Sequence, residues 1–275
     1  MERTVEAVLN RLTILSGKER DAAVAELEGV IEANGQLVLS DRCLEQCCEV
    51  LRVLLSDAAP PHAQGIAAIL HLSANSTVSE NGTGREVLSR CGMASIVRAA
   101  FEVCIQSNAT CYAAMDVIST LASNSGDFRT QFSSSVRHIL GAMRAHKSDL
   151  DVLFGGCFSL ATLTLLNDAN VVLLCSDNGA AVLVEVFKYC CRRGKREADP
   201  SVKRSLQAVQ MWSRATLSNV IKVRGEAVDE AMAKCQFGVQ GEQMEVDELK
   251  WRLTSDRRVV SAKPAQASAQ QNHPR

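Results

Sequence analysis

Apolar residues along this chain return at the three-to-four-residue spacing of amphipathic helices, and the helices themselves return about every 43 residues. Residues 92–100, 135–143 and 179–187 can be laid on one another. Their apolar pairs fall at Ile96/Val97, Ile139/Leu140 and Leu183/Val184, steps of 43 and 44 residues. A second, alanine-rich element follows in step and runs out at a Leu and then an Asn. Its copies cover residues 67–75, 117–124, 160–167 and 212–219. Leu121 lies 25 residues after Ile96 and Leu163 lies 24 after Ile139, but Leu217 lies 34 after Leu183. About ten residues are therefore inserted in the last copy, and residues 192–200 read as that insert, a basic loop carrying Arg192, Arg193, Lys195 and Arg196. An earlier copy of the first element falls at residues 44–51, with Cys47 and Cys48 in the place of the apolar pair.

A unit of this size cannot bury its apolar face alone, so neighbouring units must stack and share one core. The end units must then hide their outer faces. The charged helices expected within residues 1–37 read as an N-terminal cap. The repeated pairs cover about 38–75, 92–124, 134–167 and 178–222 inside a body of 38–236, and residues 226–234 read as part of a C-terminal cap. Residues 237–253 place Met244, Val246, Leu249, Trp251 and Leu253 among charges and read as a short amphipathic helix. Residues 254–275 are polar and low in complexity, which is the composition of a disordered tail.

In period and apolar pattern, residues 38–222 resemble the armadillo repeat family. The resemblance implies an all-α, armadillo/HEAT-like, right-handed superhelical solenoid of about four repeats with terminal capping helices. It further implies three helices per repeat, with the third helices lining a concave groove that takes partners as extended peptides. In the importin-α branch an Asn on that helix grips the ligand backbone and a Trp four residues earlier packs on its side chains. The Asn positions match Asn75, Asn124, Asn167 and Asn219; the Trp positions hold His71, Thr120, Leu163 and Ala215, a departure from that branch. Trp212 lies seven residues before Asn219, out of that register.

An amide side chain offers both a donor and an acceptor, so a ladder of asparagines could hold an extended strand without reading its sequence. Asn also ends helices, because it tolerates left-handed backbone. Both readings stand for Asn75, Asn124, Asn167 and Asn219. Thr120 and Ala215 belong to the same candidate groove, and Trp251 is a candidate anchor beside the tail. The basic residues Arg192, Arg193, Lys195 and Arg196 fit a targeting signal, a patch for an acidic partner, or a solvated loop.

Composition narrows the function. The 275 residues are 47% hydrophobic and only 4% aromatic, so Ala and Leu carry the core, as close helix packing requires. The five prolines fall where loops or the tail are expected. A formal net charge of −1 gives no general pull toward nucleic acid or anionic membrane. No apolar run approaches the ~20 residues of a membrane span, and the first residues lack a secretory leader, so the cytosol or the nucleus is expected. Eleven cysteines are an odd number without disulfide-framework spacing, and they read as reduced thiols acting as small hydrophobes. Cys43 and Cys47 share a helical face and could join His62 around zinc, but no CxxC pair supports it. Adjacent Cys190 and Cys191 lack the membrane signal that accompanies acylation. No phosphate loop, HExxH or GxSxG occurs, and the histidines are isolated. The chain is therefore expected to be a non-catalytic interaction scaffold or adaptor without cofactor or metal. Its expected partners are other proteins, bound as an extended segment, with no membrane, nucleic acid or small-molecule substrate. The alternative is a structural subunit of a large cytoskeletal, ciliary or ribonucleoprotein assembly.

Overall fold

The computed structural model describes residues 2–15, 17–34, 39–56, 62–77 and 83–234. The expected helix at 237–253, with Trp251, and the expected tail at 254–275 lie outside them. Among the described residues the fold is all-helical, with thirteen helices and no strand. They are α1 (Glu2–Ile14), α2 (Gly17–Asn34), α3 (Asp41–Ser56), α4 (Ala63–Ser76), α5 (Thr83–Arg90), α6 (Met93–Cys104), α7 (Asn108–Ala122), α8 (Gly126–Gln131), α9 (Ser135–Ala145), α10 (Leu150–Thr164), α11 (Asp168–Ser176), α12 (Gly179–Arg196) and α13 (Pro200–Lys234).

Local chemistry sets the boundaries. Ser107, Ser125, Asp149 and Asn167 each precede a helix and accept its free N–H groups, from Thr110, Phe128, Asp151 with Val152, and Asn170 respectively. Gly92 and Asn178 take left-handed backbone (φ 69° and 58°) immediately before α6 and α12. Both residue types reach that conformation at low cost, which lets a short helix turn sharply into a longer one.

Two kinds of helix result. α6 buries Ile96, Val97, Ala100, Phe101 and Cys104, and α9 buries Val136, Ile139, Leu140 and Met143, in each case a single stripe. α4, α7 and α10 are apolar nearly all round because each is flanked on both sides. α7 packs against α4 on one side and α10 on the other, with α6 behind it. The helices thus contact one another in two rows, α2–α4–α7–α10–α13 and α1–α3–α6–α9–α12, and the first row is the more closely packed from α4 onward. Each of those steps carries a hydroxyl that donates to a backbone carbonyl of the preceding helix. Thr110 Oγ1 reaches the Ala63 oxygen at 2.8 Å, Ser159 Oγ the Met115 oxygen at 2.8 Å, and Thr216 Oγ1 the Cys157 oxygen at 3.1 Å. Buried hydroxyls are thereby satisfied while fixing the offset between neighbours. One continuous core runs from Val5 to Met232.

Two expectations change. The insert at residues 192–200 is not a basic loop, because α12 continues to Arg196. Arg193, Lys195 and Arg196 form its last turn, where cations favour the carbonyl end of the helix dipole. Pro200 is not in a loop but opens α13, with the Asp199 carboxylate accepting the Ser201 N–H at 2.7 Å. Residues 226–234, expected as part of a C-terminal cap, continue α13 beyond a break at Arg224 (φ −140°, ψ 59°). The ten cysteines among the described residues are free thiols, and all but Cys91 and Cys175 are buried. Burial pushes the Cys48, Cys111 and Cys190 thiols up to about 12 and raises Cys47 and Cys157 as well.

Candidate binding face

The outer side of the closely packed row is where α4, α7, α10 and α13 leave part of their surface uncovered. Helical spacing places the partly exposed residues in short columns. Tyr112, Asp116 and Thr120 follow at i, i+4 and i+8 on α7, Phe154 and Phe158 at i and i+4 on α10, and Trp212, Ala215 and Asn219 at i, i+3 and i+7 on α13. α4 contributes His71.

The columns meet. The His71 and Tyr112 rings lie 5.6 Å apart, centroid to centroid, and His71 Nδ1 sits 3.3 Å from Asp116 Oδ2. Phe154 and Phe158 stack at 6.1 Å, and Phe158 meets Trp212 at 4.5 Å with the rings tilted by 51°. Four of the nine aromatic Phe, Tyr and Trp residues in the described chain are thus half-buried on one face, while Phe101, Phe128 and Phe132 fill the core. Gly155 helps Tyr112 fit: a Cβ there would lie 3.1 Å from Tyr112 Cδ2, so a bare backbone lets the ring lie against α10 without shifting. Burial first, and then the Asp116 and Asp151 carboxylates, raise the Tyr112 phenol above its ordinary value.

The predicted asparagines do not form a ladder. Asn75 lies half-buried in the last turn of α4, and Asn124 is exposed in the turn after α7. Asn167 caps α11, its Oδ1 accepting the Asn170 N–H at 3.0 Å. Asn219 is inside α13, its amide donating to the Ala161 carbonyl and Thr164 Oγ1, both at 3.2 Å. One is a cap, one lies in a turn, and one is occupied within the fold. Thr120 and Ala215 do lie on the face, half-exposed; the Thr120 carbonyl accepts from the Arg85 guanidinium at 3.2 Å. Arg192, Arg193, Lys195 and Arg196 belong to α12 in the other row, where Arg193 donates to the Tyr189 hydroxyl at 2.8 Å. Sequence reasoning missed Tyr112, Asp116, Phe154 and Phe158. Their signal was a pair of bulky or charged residues at i, i+4 on helices otherwise built of Ala, Leu and Gly.

Other surface features are less organised. A cleft of ≈530 Å³ near α6, α9 and α11 mixes Arg98, Arg137 and His138 with Glu102 and Asp177. Among the described residues no three His, Cys, Asp or Glu side chains converge as a metal site. No single described helix is long and apolar enough to cross a membrane.

No family model matches the chain, and no curated protein does. It is similar to the crystal structure of an engineered protein from the Northeast Structural Genomics Consortium, with a TM-score of 0.59 at 14% identity over 93% of this chain and 97% of that one. At that identity the likeness speaks for an all-helical fold alone.

Proposed function

We propose that the chain is a right-handed armadillo-like solenoid of about four repeats with capping helices, and that it binds an extended segment of a partner protein without catalysis. The order short helix, middle helix, long helix recurs in α5–α6–α7, α8–α9–α10 and α11–α12–α13, which supports the repeat reading. Closer packing in the row of α4, α7, α10 and α13 supports a surface curved toward that side, since the inner row of a bent stack is the compressed one. The observation that carries the function is the row of half-exposed rings from His71 to Trp212. Large, rigid aromatic surface with one side open is what anchors partners. The free thiols support a reducing compartment, the cytosol or the nucleus.

The test compares wild type with a Phe158→Ser/Trp212→Ser variant and with an outer-row control, Arg137→Ser, all matched in melting temperature. Partners are captured from native extract and mapped to a short segment by peptide scanning. A partner lost only from the first variant and reduced to one segment supports the proposal. Equal loss or equal retention in both variants overturns it.

A second reading is a structural subunit of a larger assembly. It draws on Leu166, which is 90% exposed at φ 53°, beside exposed Leu165, Val172 and Leu173. Co-sedimentation with a large complex at high salt favours this reading, and monomeric behaviour in extract counts against it.

A further inference from the structure

Charge is uneven along the aromatic face: α13 carries Lys203, Arg204, Arg214, Lys222 and Arg224, and the three helices before it in that row carry no Lys or Arg. α4, α7 and α10 contain no Lys or Arg, whereas α3, α6, α9 and α12 contain Arg42, Arg52, Arg98, Arg137, Arg144 and the basic end of α12. The acidic side chains on the inner three are Asp116 and Asp151. Asp116 stands one turn after Tyr112 on α7, and Asp151 stands one turn before Gly155, the residue of α10 that faces the Tyr112 ring. Arg85 reaches this side of α7, yet it donates to the Thr120 carbonyl at 3.2 Å. His71 meets Asp116 through Oδ2. The result is a half-buried aromatic ring with two carboxylates on neighbouring turns and no Lys or Arg on α4, α7 or α10 beside them.

We infer that this cradle of His71, Tyr112, Asp116 and Asp151 takes a lysine or arginine side chain of the bound partner segment. The inference rests on the groove reading above and adds the chemistry of the ligand. The electron-rich face of a ring attracts a cation, and adjacent carboxylates add charge-assisted hydrogen bonds. The same arrangement repels an acidic segment, so it selects as well as binds. Continuing past Phe154 to Phe158 and Trp212, the face turns apolar, which fits a segment with its basic residue at the α4–α7 end and apolar residues toward α13.

The experiment measures fluorescence anisotropy of labelled, end-blocked oligolysine, oligoglutamine and oligoglutamate peptides against the whole protein. The variants are Asp116→Asn/Asp151→Asn, Tyr112→Leu, Phe158→Ser and, as a control of equal charge change on α5 and α8, Glu86→Gln/Asp127→Asn. The single Asp151→Asn, an exposed position, serves if the double variant does not fold. Oligolysine is expected to bind wild type and the control alike and to lose about tenfold in affinity with the double Asn variant. It should lose several-fold with Tyr112→Leu, and oligoglutamate should not bind. Equal oligolysine binding by the double Asn variant and the control overturns the inference, as does tighter binding of oligoglutamate. If oligoglutamine binds as well as oligolysine, and Phe158→Ser abolishes both, the cation cradle fails while the groove survives. If no peptide is weakened by Phe158→Ser, the groove itself fails.

Discussion

Asn170 offers the sharpest test of how the helices are locked together. It is fully buried on α11, and its Nδ2 donates to the Leu163 carbonyl of α10 and the Arg129 carbonyl of α8, both at 2.9 Å. Three helices meet on one amide. Replacing Asn170 by Ala removes both bonds. The Arg129 oxygen still has the Ser133 hydroxyl at 3.3 Å, so its loss is small. The Leu163 oxygen loses its side-chain donor inside the core, a penalty of about 1–3 kcal/mol. The missing side-chain atoms leave a cavity that adds about 1 kcal/mol. Oδ1 has no partner in the described structure, so its removal relieves a desolvation cost and returns about 1 kcal/mol. The expected loss is roughly 1–3 kcal/mol, a fall in melting temperature of about 3–9 °C for a chain of this size. Asn170→Asp separates the bonds from the shape. A carboxylate there faces two carbonyl oxygens, and burial raises its pKa, so the folded state binds the proton more tightly than the unfolded one. Stability of that variant is then highest at acid pH, where the acid is neutral in both states, and falls as pH rises toward the raised value. Urea unfolding followed by circular dichroism at two pH values reads both effects. A loss under 1 kcal/mol for Asn170→Ala would refute the clamp, and an Asp variant no better at acid pH would refute the carbonyl geometry.

Other expectations follow from single contacts. Gly179→Ala places a Cβ 2.7 Å from the Leu174 carbonyl oxygen, so it should destabilise by about 1–2 kcal/mol after the gain in helix propensity. Gly141→Ala on α9 meets nothing within 4 Å and should instead stabilise by about 0.5–1 kcal/mol; thermal melts of the two should move in opposite directions. Burial works against the Asp149 charge, but Asn108 and the N–H groups of Val152 and Asp151 overcome it and hold the carboxyl below its ordinary range. The stability Asp149 supplies is present above the unfolded carboxylate pKa and lost as pH falls through the lower folded value, so Asp149→Asn, still a helix cap, should flatten the acid limb of urea midpoints. Under native conditions a thiol reagent should modify Cys91 and Cys175 before the eight buried described cysteines, as read by peptide mass spectrometry.

The helices were legible because the apolar stripe of α6 and α9 can face only one way, and Ile96/Val97 and Ile139/Leu140 do lie in the core. The basic run was misread because Gly194 and the nearby Pro200 look like loop punctuation. Arg and Lys are nevertheless good helix formers, and Pro is at home in a first turn. The asparagines shared a sequence neighbourhood but not a register. Asn167 stands after Leu165 and Leu166 have already left the helix, whereas Asn219 stands within one. Tyr112 and Phe158 were hidden for a different reason: periodicity reports that an aromatic is apolar, not which side of a helix flanked on two sides stays open.

The unequal packing of the two rows has a mechanical consequence. Spreading α4, α7, α10 and α13 apart would break a hydroxyl–carbonyl bond at every step, whereas the α3–α6–α9–α12 side is joined by polar contacts nearer the surface, such as Glu102 with His138 at 3.4 Å, which water can replace. Compliance is therefore directional. The face that carries the rings is expected to keep its spacing while the opposite side yields, so bending should change the distance between Tyr112 and Trp212 least.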